Sequence, residues 1–498
     1  MIPIVTPAEM VAIDAAAPEP VEVLIQRAGV ALANVATQMM GGSYGRRVVV
    51  MSGKGNNGAD GRAAATYLRR RGVRVEVWDA TKPPKSLPSA HLVIDAAYGT
   101  GLQRPYTPPA PPPYLKQPAK PAPILAADIA SGIDGLTGEV HGSPWQATHT
   151  LTFGALKPGL LLHPGTQYCG QVTLEQLGLD TSPAKAHLLT ASTAASWLPV
   201  RPLDAHKWQT ACWIVAGSTE MAGAAQLATA AALRGGSGYV RLSVPGHPNP
   251  TNTAIASAST ASIAHSASTN GAIEAVSYPL SASGWWEQIQ HQDLSRFKAM
   301  LVGPGLGRHP TTAEAIRELV SNAPLPLVLD GDGLTALGSG VVAILNRRNA
   351  PTIVTPHDGE YRGLTGNAPD PDRFAAARQL AFISGATVLL KGPCTVVAQP
   401  DGTAIATNNG DARLATAGTG DVLAGLICGL LSAGVPPMQA AALAAWLHGQ
   451  TAQALPFAPM AASNLINALP RTWQATAANH QVNQSTQHAS QSTQHHTP

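Results

Sequence analysis

The stretch RVVVMSGKGNNGADGRAAATYLRRRGVRVEVW, residues 47–78, decides the fold class of the first half of this chain. It contains an apolar β-rich run, a glycine-rich turn, a helix-forming run and a second β-rich run. Strands joined through a helix lie parallel, because the connection has to cross over the sheet. Further β-rich runs at 92–96 and 124–129 repeat the pattern. We therefore predict a Rossmann-like, three-layer αβα domain.

Residues on either side of this unit extend the prediction. An apolar stripe with helical spacing covers 21–40 and predicts a packing helix. The proline-rich stretch 105–123 predicts a loop with polyproline character. The N-terminal domain is expected to span residues 1–180 and to be followed by a linker over 181–204 that contains a short helix.

A second α/β series follows the linker. Its β-rich runs lie at 213–218, 239–244, 300–305, 327–333, 352–356 and 387–392, with helical runs between them. They predict a second αβα domain over residues 205–470. Residues 471–498 are Gln, Ser, Thr and His with almost nothing apolar, so we expect a disordered tail there.

Composition excludes several classes of protein. The chain has 498 residues, 45% hydrophobic and 12% charged, and a net charge of +3, which gives no broad field for binding nucleic acid. Its 4 scattered cysteines predict reduced thiols and a cytoplasmic enzyme. The start of the sequence shows no signal-peptide pattern. The longest uncharged apolar run, 422–435, is too short to span a membrane and predicts a buried helix.

Three predicted strands of the first domain end at potential ligands. The glycine turn Gly53–Gly61 follows the first strand, and its backbone amides at a helix start can hold an anion. Asp95 and Asp128 follow two later strands, and the strand ends of a parallel sheet converge on one crevice. Either aspartate could instead cap its own loop. Together with Asn56 and Asn57 they offer hard oxygen ligands for a cation beside a sugar-phosphate ligand.

The motifs GKGNNGADG, VIDAAYGTGL and DIASGIDGLTG, in this order, resemble the NAD(P)H-hydrate epimerase family. The resemblance implies a potassium ion held by Asn57, Asp95 and Ser131, with Asp128 as the catalytic residue that moves a proton at the reacting carbon. The sequence departs from the family pattern at Ala59 and Ala130. The implied hydrate-binding residues are Asn56, Asn57, Gly58, Ala59, Asp60, Gly99, Thr100, Gly101, Leu102, Gln103, Arg104, Pro105 and Asp128.

The second domain carries its strongest site signal in NGDARLATAGTGDVLAGLICGLLSAG, residues 409–434. Gly418, Thr419 and Gly420 precede an apolar helix, so free amides at the helix start can bind developing phosphoryl charge. Asp421 lies in the first turn of that helix. A lone aspartate there could simply favour the helix start, but behind a glycine anion hole it suits a base for a hydroxyl that attacks a nucleotide phosphate.

The GTGD element is similar to the ribokinase-like family, and HKWQTACWIVAGS, VGPGLG, VLDGDGL, VTPHDGEY and KGPCT occur in the order of the ADP-dependent NAD(P)H-hydrate dehydratases. The resemblance implies ADP as co-substrate with magnesium. Asp330 and Asp332 could reach magnesium through water or could cap their turn. The implied hydrate contacts are Ala224, Gly305, His357 and Asp421. The implied nucleotide contacts are Lys391, Gly392, Pro393, Cys394, Thr395 and Gly420.

Both resemblances together imply an enzyme that acts on hydrated NADH and NADPH, NADHX and NADPHX, as an isomerase and a carbon–oxygen lyase. ADP would be converted to AMP and phosphate, and a homo-oligomer is expected, without nucleic acid or membrane partners. One alternative is a ribokinase-like kinase of vitamin precursors. A second alternative makes the N-terminal domain a non-catalytic binding module.

Overall fold

The computed structural model describes residues 1–102, 104–246 and 273–494, and from residue 479 onward it describes only the backbone. The chain divides into two compact units, residues 2–188 and residues 189–498 together with Met1. This boundary lies inside the expected linker 181–204. Each unit has its own hydrophobic core, and the alternation of strands and helices in both confirms the predicted α/β fold class.

The N-terminal unit alternates strands and helices. Its elements are β1 (Ile2–Ile4), α1 (Pro7–Ala15), α2 (Val21–Met40), β2 (Arg47–Ser52), α3 (Asn56–Arg70), β3 (Arg74–Asp79), β4 (Leu92–Ala96), β5 (Pro113–Tyr114), β6 (Gln117–Pro121), β7 (Ile124–Ala127), β8 (His149–Phe153), α4 (Thr166–Cys169), β9 (Gln171–Glu175) and β10 (Ala186–Leu188).

Six strands form the main sheet of this unit in the order β3-β2-β4-β7-β8-β9, and every neighbouring pair is parallel. β2 and β4 are almost entirely buried, as expected for central strands covered on both faces. α2 and α3 pack so closely that a Cβ on Gly29 would come within 2.4 Å of the Ala63 Cβ. β1 pairs antiparallel with β10.

The proline-rich stretch differs from its prediction in one respect. Instead of a continuous loop, residues 113–121 contain the antiparallel hairpin β5–β6. The backbone amide of Ala122 donates to the carbonyl of Pro112 at 2.8 Å, which closes the base of the hairpin. The backbone amide of Ala90 donates to the carbonyl of Pro113 on the other edge of β5, and this bond uses no proline N–H.

The C-terminal unit follows the same alternation with longer helices. Its elements are α5 (Ala191–Ser196), β11 (Ala211–Val215), α6 (Ala222–Arg234), β12 (Tyr239–Ser243), β13 (Val276–Ser277), α7 (Trp285–Ile289), β14 (Ala299–Val302), α8 (Pro310–Asn322), β15 (Leu327–Leu329), α9 (Asp332–Leu337), α10 (Val341–Leu345), β16 (Thr352–Val354), α11 (Asp358–Thr365), α12 (Arg373–Ser384), β17 (Thr387–Leu390), β18 (Thr395–Ala398), β19 (Ala404–Thr407), α13 (Thr419–Ser432), α14 (Pro437–Ala454) and α15 (Ala462–Gln494).

Nine strands of this unit form a sheet in the order β19-β18-β17-β16-β15-β14-β11-β12-β13. Pairs from β17 to β13 are parallel, whereas β17–β18 and β18–β19 are antiparallel. α6, α13 and α14 share the core cluster with Ile214 and Leu301 of the sheet. α13 is buried along nearly its whole length, which confirms the helix predicted over 422–435.

The C-terminal tail contradicts its prediction. α15 continues to Gln494, so residues 471–494 are helical and only 495–498 lie outside the described residues. Thr472 and Thr476 are buried, and Trp473 packs against the core cluster. The packed stripe of Leu465, Leu469 and Trp473 thus runs past residue 471, where composition alone suggested disorder. In the described chain no helix is long and apolar enough to cross a membrane.

Candidate active sites

A cavity of about 820 Å³ lies at the edge of the N-terminal sheet where the parallel strands end. Gly58, Ala59 and Pro105 do not line it, and Gln103 lies outside the described residues. A Cβ on Gly58 would come within 2.0 Å of the Gly53 carbonyl oxygen, so Gly58 lets α3 begin directly against the strand end. The predicted residues that do line the cavity are Asn56, Asn57, Asp60, Gly99, Thr100, Gly101, Leu102, Arg104 and Asp128.

Asp128 reaches the cavity from the loop after β7 with its backbone in the left-handed region, at φ 64°. Its Oδ1 accepts hydrogen bonds from the Lys157 ammonium, from Thr152 Oγ1 at 3.0 Å and from the Phe153 amide at 3.3 Å. Lys157 also donates to the Phe153 carbonyl at 2.8 Å, and its side chain is 1% exposed. The ion pair therefore fixes one carboxylate oxygen and leaves Oδ2 to the cavity.

Two more carboxyl groups line the same cavity. Burial and the charges of Asp128 and Asp14 raise the pKa of Asp60 to about 8, against the opposing charges of Arg62 and Lys157. Burial also raises the pKa of Asp14, which stands on α1. The cavity thus brings three carboxyl groups and one lysine together, and it disfavours ionisation of the Asp60 carboxyl near neutral pH.

The three predicted potassium ligands lie beside the cavity. The Asp95 carboxylate accepts from Ser131 Oγ at 2.6 Å and from the Ser131 amide at 2.9 Å. Burial raises the pKa of Asp95, and these hydrogen bonds oppose the shift. Both polar side-chain atoms of Asn57 are buried without a hydrogen-bond partner. An amide oxygen without a donor, a carboxylate and a hydroxyl are oxygen groups of the kind that a hard cation prefers.

Two helices form walls that the sequence prediction did not include. Pro7, Met10 and Asp14 of α1 line the cavity, and so do Leu24 and Ile25 of α2. The interpretation of residues 21–40 as only a packing helix is therefore incomplete. Buried Ala28 belongs to the core cluster and also lines the cavity, so the same apolar stripe contributes to both.

The C-terminal unit has a second charged cluster, at the start of α13. Burial and the charge of Asp330 raise the pKa of Asp421 to about 6, and Lys391 opposes the shift. The Lys391 ammonium donates to Asp330 Oδ1, which also accepts from Thr355 Oγ1 at 2.6 Å. Burial lowers the pKa of Lys391, but Asp330 and Glu360 outweigh it and the net shift is upward.

Gly420 occupies the space between these groups. A Cβ there would lie 3.8 Å from Lys391 Nζ and 4.0 Å from Asp330 Oδ2. Gly418, which precedes α13, has φ 88°, a conformation that favours glycine. The predicted nucleotide residue Lys391 and the predicted catalytic residue Asp421 are therefore brought together around a glycine turn at a helix start, an arrangement that can hold phosphoryl oxygens.

The remaining predicted nucleotide contacts form a turn next to Lys391. Arg373 donates to the Lys391 carbonyl at 2.7 Å, and Thr395 Oγ1 donates to the Gly392 carbonyl at 3.2 Å. Pro393 is exposed, whereas Cys394 is enclosed, and burial raises the pKa of its thiol to about 12. Cys394 thus faces the core rather than a ligand.

The predicted hydrate contacts of this unit lie on different elements. Ala224 and Gly305 are adjacent, since a Cβ on Gly305 would come within 2.8 Å of the Ala224 Cβ. His357 caps α11, accepting at Nδ1 from the Gly359 amide at 2.9 Å, while its ring is 60% exposed. The capping hydrogen bond uses Nδ1 of the ring. The other ring nitrogen, Nε2, is on the solvent side, 3.7 Å from a Glu360 oxygen.

Protein groups already contact the two aspartates considered as magnesium ligands. Asp330 is paired with Lys391, and Asp332 accepts from the Gly307 amide at 2.8 Å and from Arg308 Nε at 3.1 Å. Within the described ranges no group of three or more His, Cys, Asp or Glu is arranged to hold a metal ion. Both aspartates thus have protein partners in this structure.

Sequence reasoning missed Lys157, Asp14 and Glu360 among the charged groups of the two sites. Lys157 follows the end of β8 closely, and Glu360 follows β16 by one short turn. Both could have been found by the strand-end argument that located Asp95 and Asp128. Asp14 gives no such signal, because it stands on a helix before the first strand of the main sheet.

The two sheets and their strand-end sites define the class of this protein: an α/β protein of two units, the second of which has a glycine-turn site at a helix start. Residues 212–471 match a family model described as NAD(P)H-hydrate dehydratase. Residues 21–90 and 78–159 match the model described as YjeF-related protein N-terminus.

The bifunctional NAD(P)H-hydrate repair enzyme of Mycobacterium leprae is 36% identical over 457 residues, which cover 86% of this chain and 89% of the relative. The enzyme of that name from Salinibacter ruber is 34% identical over 478 residues, with 85% and 86% covered. The crystal structure of the ADP/ATP-dependent NAD(P)H-hydrate dehydratase from Bacillus subtilis, co-crystallised with ATP/Mg²⁺, is 28% identical, covers 58% of this chain and 98% of that chain, and has a TM-score of 0.48. The chain belongs to the family of bifunctional NAD(P)H-hydrate repair enzymes.

Proposed function

We propose that this protein repairs hydrated NADH and NADPH through two activities. The N-terminal unit interconverts the R and S epimers of the hydrate, and the C-terminal unit dehydrates the S epimer at the expense of ADP, giving AMP and phosphate. The observation that carries the proposal is the half-buried Asp421 carboxyl in the first turn of α13, beside Lys391 and the Gly418–Gly420 turn. The names and the coverage of the relatives support both activities.

In the dehydratase reaction, Asp421 accepts the proton of the C6 hydroxyl while the terminal phosphoryl group of the nucleotide transfers to that oxygen. The C6–O bond then breaks with phosphate as leaving group, as the ring nitrogen lone pair forms a π bond to C6. Loss of a proton from C5 restores the dihydronicotinamide. Lys391 and the amides of the Gly418–Gly420 turn stabilise the charge on the phosphoryl oxygens.

We propose that the nucleotide brings its magnesium ion to this site on its phosphates. This assignment fits the partners of Asp330 and Asp332, which are already engaged by Lys391, Gly307 and Arg308. Gly392, Pro393 and Thr395 would contact the nucleotide largely through the backbone, and Cys394 supports the turn from inside. Ala224, Gly305 and His357 are the proposed contacts to the hydrate.

In the epimerase site, Asp128 is the proposed catalytic residue and the lining residues from Asn56 to Arg104 bind the hydrate. The potassium ion would be held by Asn57, Asp95 and Ser131, because the unpaired Asn57 amide and the Asp95 carboxylate provide the oxygen donors that it prefers. When bound, it supplies positive charge that orders the Tyr98–Gly101 loop, whose Tyr98 amide is 2.9 Å from Ser131 Oγ.

Three further assignments belong to the same proposal. The epimerase domain covers residues 1–180 and the dehydratase domain covers 205–470, which agrees within the linker with the observed division of the chain. The protein acts in the cytoplasm, in keeping with four buried free cysteines. It forms a homo-oligomer, which light scattering of the full chain tests.

The deciding experiment supplies mixed hydrate epimers with ADP or ATP to the wild type, Asp421→Asn and Asp128→Ala. We expect release of phosphate, recovery of reduced-nicotinamide absorbance and complete consumption of both epimers with wild type. Asp421→Asn should lose the nucleotide-dependent step, and Asp128→Ala should consume one epimer fast and the other only at the spontaneous rate. A phosphorylated alcohol as final product would instead support the kinase alternative.

A further inference from the structure

The epimerase cavity contains two carboxyl groups in contrasting environments. Asp128 enters from the loop after β7 and is paired with Lys157. Asp60 enters from α3, is 8% exposed, and forms no ion pair within the described part of the chain. We propose that Asp60 is a second catalytic residue of the epimerase, which protonates the C6 hydroxyl as it leaves, while Asp128 accepts the proton of the water that adds to the opposite face. This inference rests on the proposed epimerase activity.

The position of Asp60 on α3 supports this role. Asp60 follows Asn57 by three residues and Asn56 by four, so its side chain lies on the same face of the helix as theirs. All three residues line the cavity. Asn57 in turn lies close to the Asp128 side, because a Cβ on Gly99 would be 3.5 Å from Asn57 Cβ and 3.9 Å from Asp128 Oδ2. α3 and the loop after β7 therefore both supply side chains to one cavity, where a flat ring can contact Asp60 and Asp128.

The electrostatic environment supports the same division of roles. Asp60 is buried and faces Asp14 from α1 and Asp128 from the loop after β7, and both charges favour its protonated form. Arg62 on α3 and Lys157 after β8 oppose them, and the net shift is upward. Asp128 has the buried Lys157 ammonium in direct contact. Two carboxyl groups in contrasting electrostatic environments are the arrangement that an acid–base pair requires.

The proposed inversion consists of loss of water from C6 and addition of water to the opposite face. The proton of Asp60 passes to the C6 hydroxyl, the C6–O bond breaks, water departs, and the ring nitrogen lone pair forms the N1–C6 π bond of a cation. Carboxylate charge in the cavity stabilises this cation. A water molecule then adds to C6 on the other face and gives its proton to Asp128. Asp60 is now ionised and Asp128 protonated, which is the state needed for the reverse direction, and exchange with solvent restores the first state.

This route predicts where the C6 oxygen of the product comes from. Each inversion replaces the C6 oxygen by one from solvent, so product formed in H₂¹⁸O carries the heavy isotope at C6. Inversion by opening the C6–N1 bond would instead keep the original oxygen in the intermediate aldehyde. Asn56 and Arg104 are exposed where they line the cavity, so water can reach the ring.

The test uses the full-length protein without nucleotide and a single purified hydrate epimer in H₂¹⁸O. We compare wild type with Asp60→Asn, which keeps the shape and removes the acid, and with the exposed control Asp180→Asn. We expect one ¹⁸O per inversion in wild type and control. For Asp60→Asn we expect kcat to decrease by a factor of about 100 or more, because a general acid contributes roughly 10²–10⁴ in rate. KM should stay within about twofold of the wild-type value.

A pH profile separates acid catalysis from a structural role. In wild type, kcat should fall as pH rises through about 8, where Asp60 loses its proton, and Asp60→Asn should lack this limb. A melting temperature of the N-terminal unit that matches wild type shows that this unit is folded in the Asp60→Asn variant. Epimerisation by Asp60→Asn at the wild-type rate, or wild-type inversion with retained oxygen, would overturn the proposal. Either result leaves the epimerase function itself intact, whereas absence of any wild-type epimerisation would refute that function.

Discussion

The ammonium of Lys157 donates to Oδ1 of Asp128 in the N-terminal unit, across 29 residues of sequence, and almost none of the lysine is exposed to solvent. Two more oxygens, Thr152 Oγ1 and the Phe153 carbonyl, accept from the same ammonium. A buried charge with three acceptors holds its partner in one orientation. Lys157 is thus a positioning residue for the carboxylate that we assign to proton transfer.

Replacing Lys157 by Met should leave the Asp128 carboxylate, whose side chain is 17% exposed, without its counter-charge. Breaking a buried ion pair costs about 3–5 kcal/mol, so we expect a lower melting temperature of the N-terminal unit and loss of epimerisation. Calorimetry and the conversion of one purified epimer measure these effects. The ADP-dependent dehydration of S-hydrate should stay unchanged, and so should both activities of the exposed control Lys185→Met. Epimerisation at the wild-type rate in Lys157→Met would contradict the positioning role.

The dehydratase should lose activity in acid with a midpoint near pH 6. Asp421 acts as a base only when ionised, and burial together with Asp330 raises its pKa from 3.8 to about 6. Activity is therefore present above pH 6 and falls about tenfold by pH 5. Initial rates of phosphate release from S-hydrate and ADP measure this limb. Asp421→Asn should remove the activity at every pH, while the exposed Asp401→Asn should keep the wild-type profile. A flat profile down to pH 5 is incompatible with this role for Asp421.

Potassium should stabilise the N-terminal unit through Asn57. A cation that binds only the folded state at ten times its Kd adds about 1.4 kcal/mol of stability. We expect the melting temperature of this unit to rise in KCl relative to choline chloride at equal ionic strength. The rise should persist in Thr66→Ala on the same helix and disappear in Asn57→Ala. An equal rise in both variants would argue against the Asn57 site.

Helix α13 should not tolerate alanine at Gly425. A Cβ there would lie 2.1 Å from the Ala228 carbonyl oxygen of α6, so the two helices would have to separate. Overpacking of this kind costs roughly 1–3 kcal/mol or more, and dehydration should fall with stability because α13 carries Asp421. The matched control is Gly363→Ala in α11, which meets open space and should gain up to about 1 kcal/mol. Denaturant unfolding of both variants provides the comparison.

Local patterns predicted much of the fold. The bounds of α2 and β4 agree with the sequence prediction, because an apolar helical stripe that ends at Gly41 and a buried run that ends at an aspartate are signals within one element. The glycine turns before α3 and α13 were also predicted from local sequence patterns. Their conformations follow from residues that are adjacent in the chain.

Contacts between elements that are distant in sequence could not be predicted from local patterns. The Lys157–Asp128 pair forms because β7 and β8 are parallel neighbours, and the order of strands in a sheet cannot be predicted from the sequence of either strand. The α1 wall of the cavity has the same origin. The tail shows a different limit, since composition after residue 471 suggested disorder, whereas Trp473 and Thr476 continue the packed face of α15.

The left-handed backbone conformation of Asp128 restricts which amino acids this position can accommodate. Among non-glycine residues, Asn, Asp and His enter this region most readily, and bulkier side chains are strained there. Glutamate would bring a carboxylate at the expense of backbone strain, and asparagine would fit the backbone without the charge. Only aspartate meets both demands, so an exchange between the two acidic residues, usually regarded as mild, is not mild here.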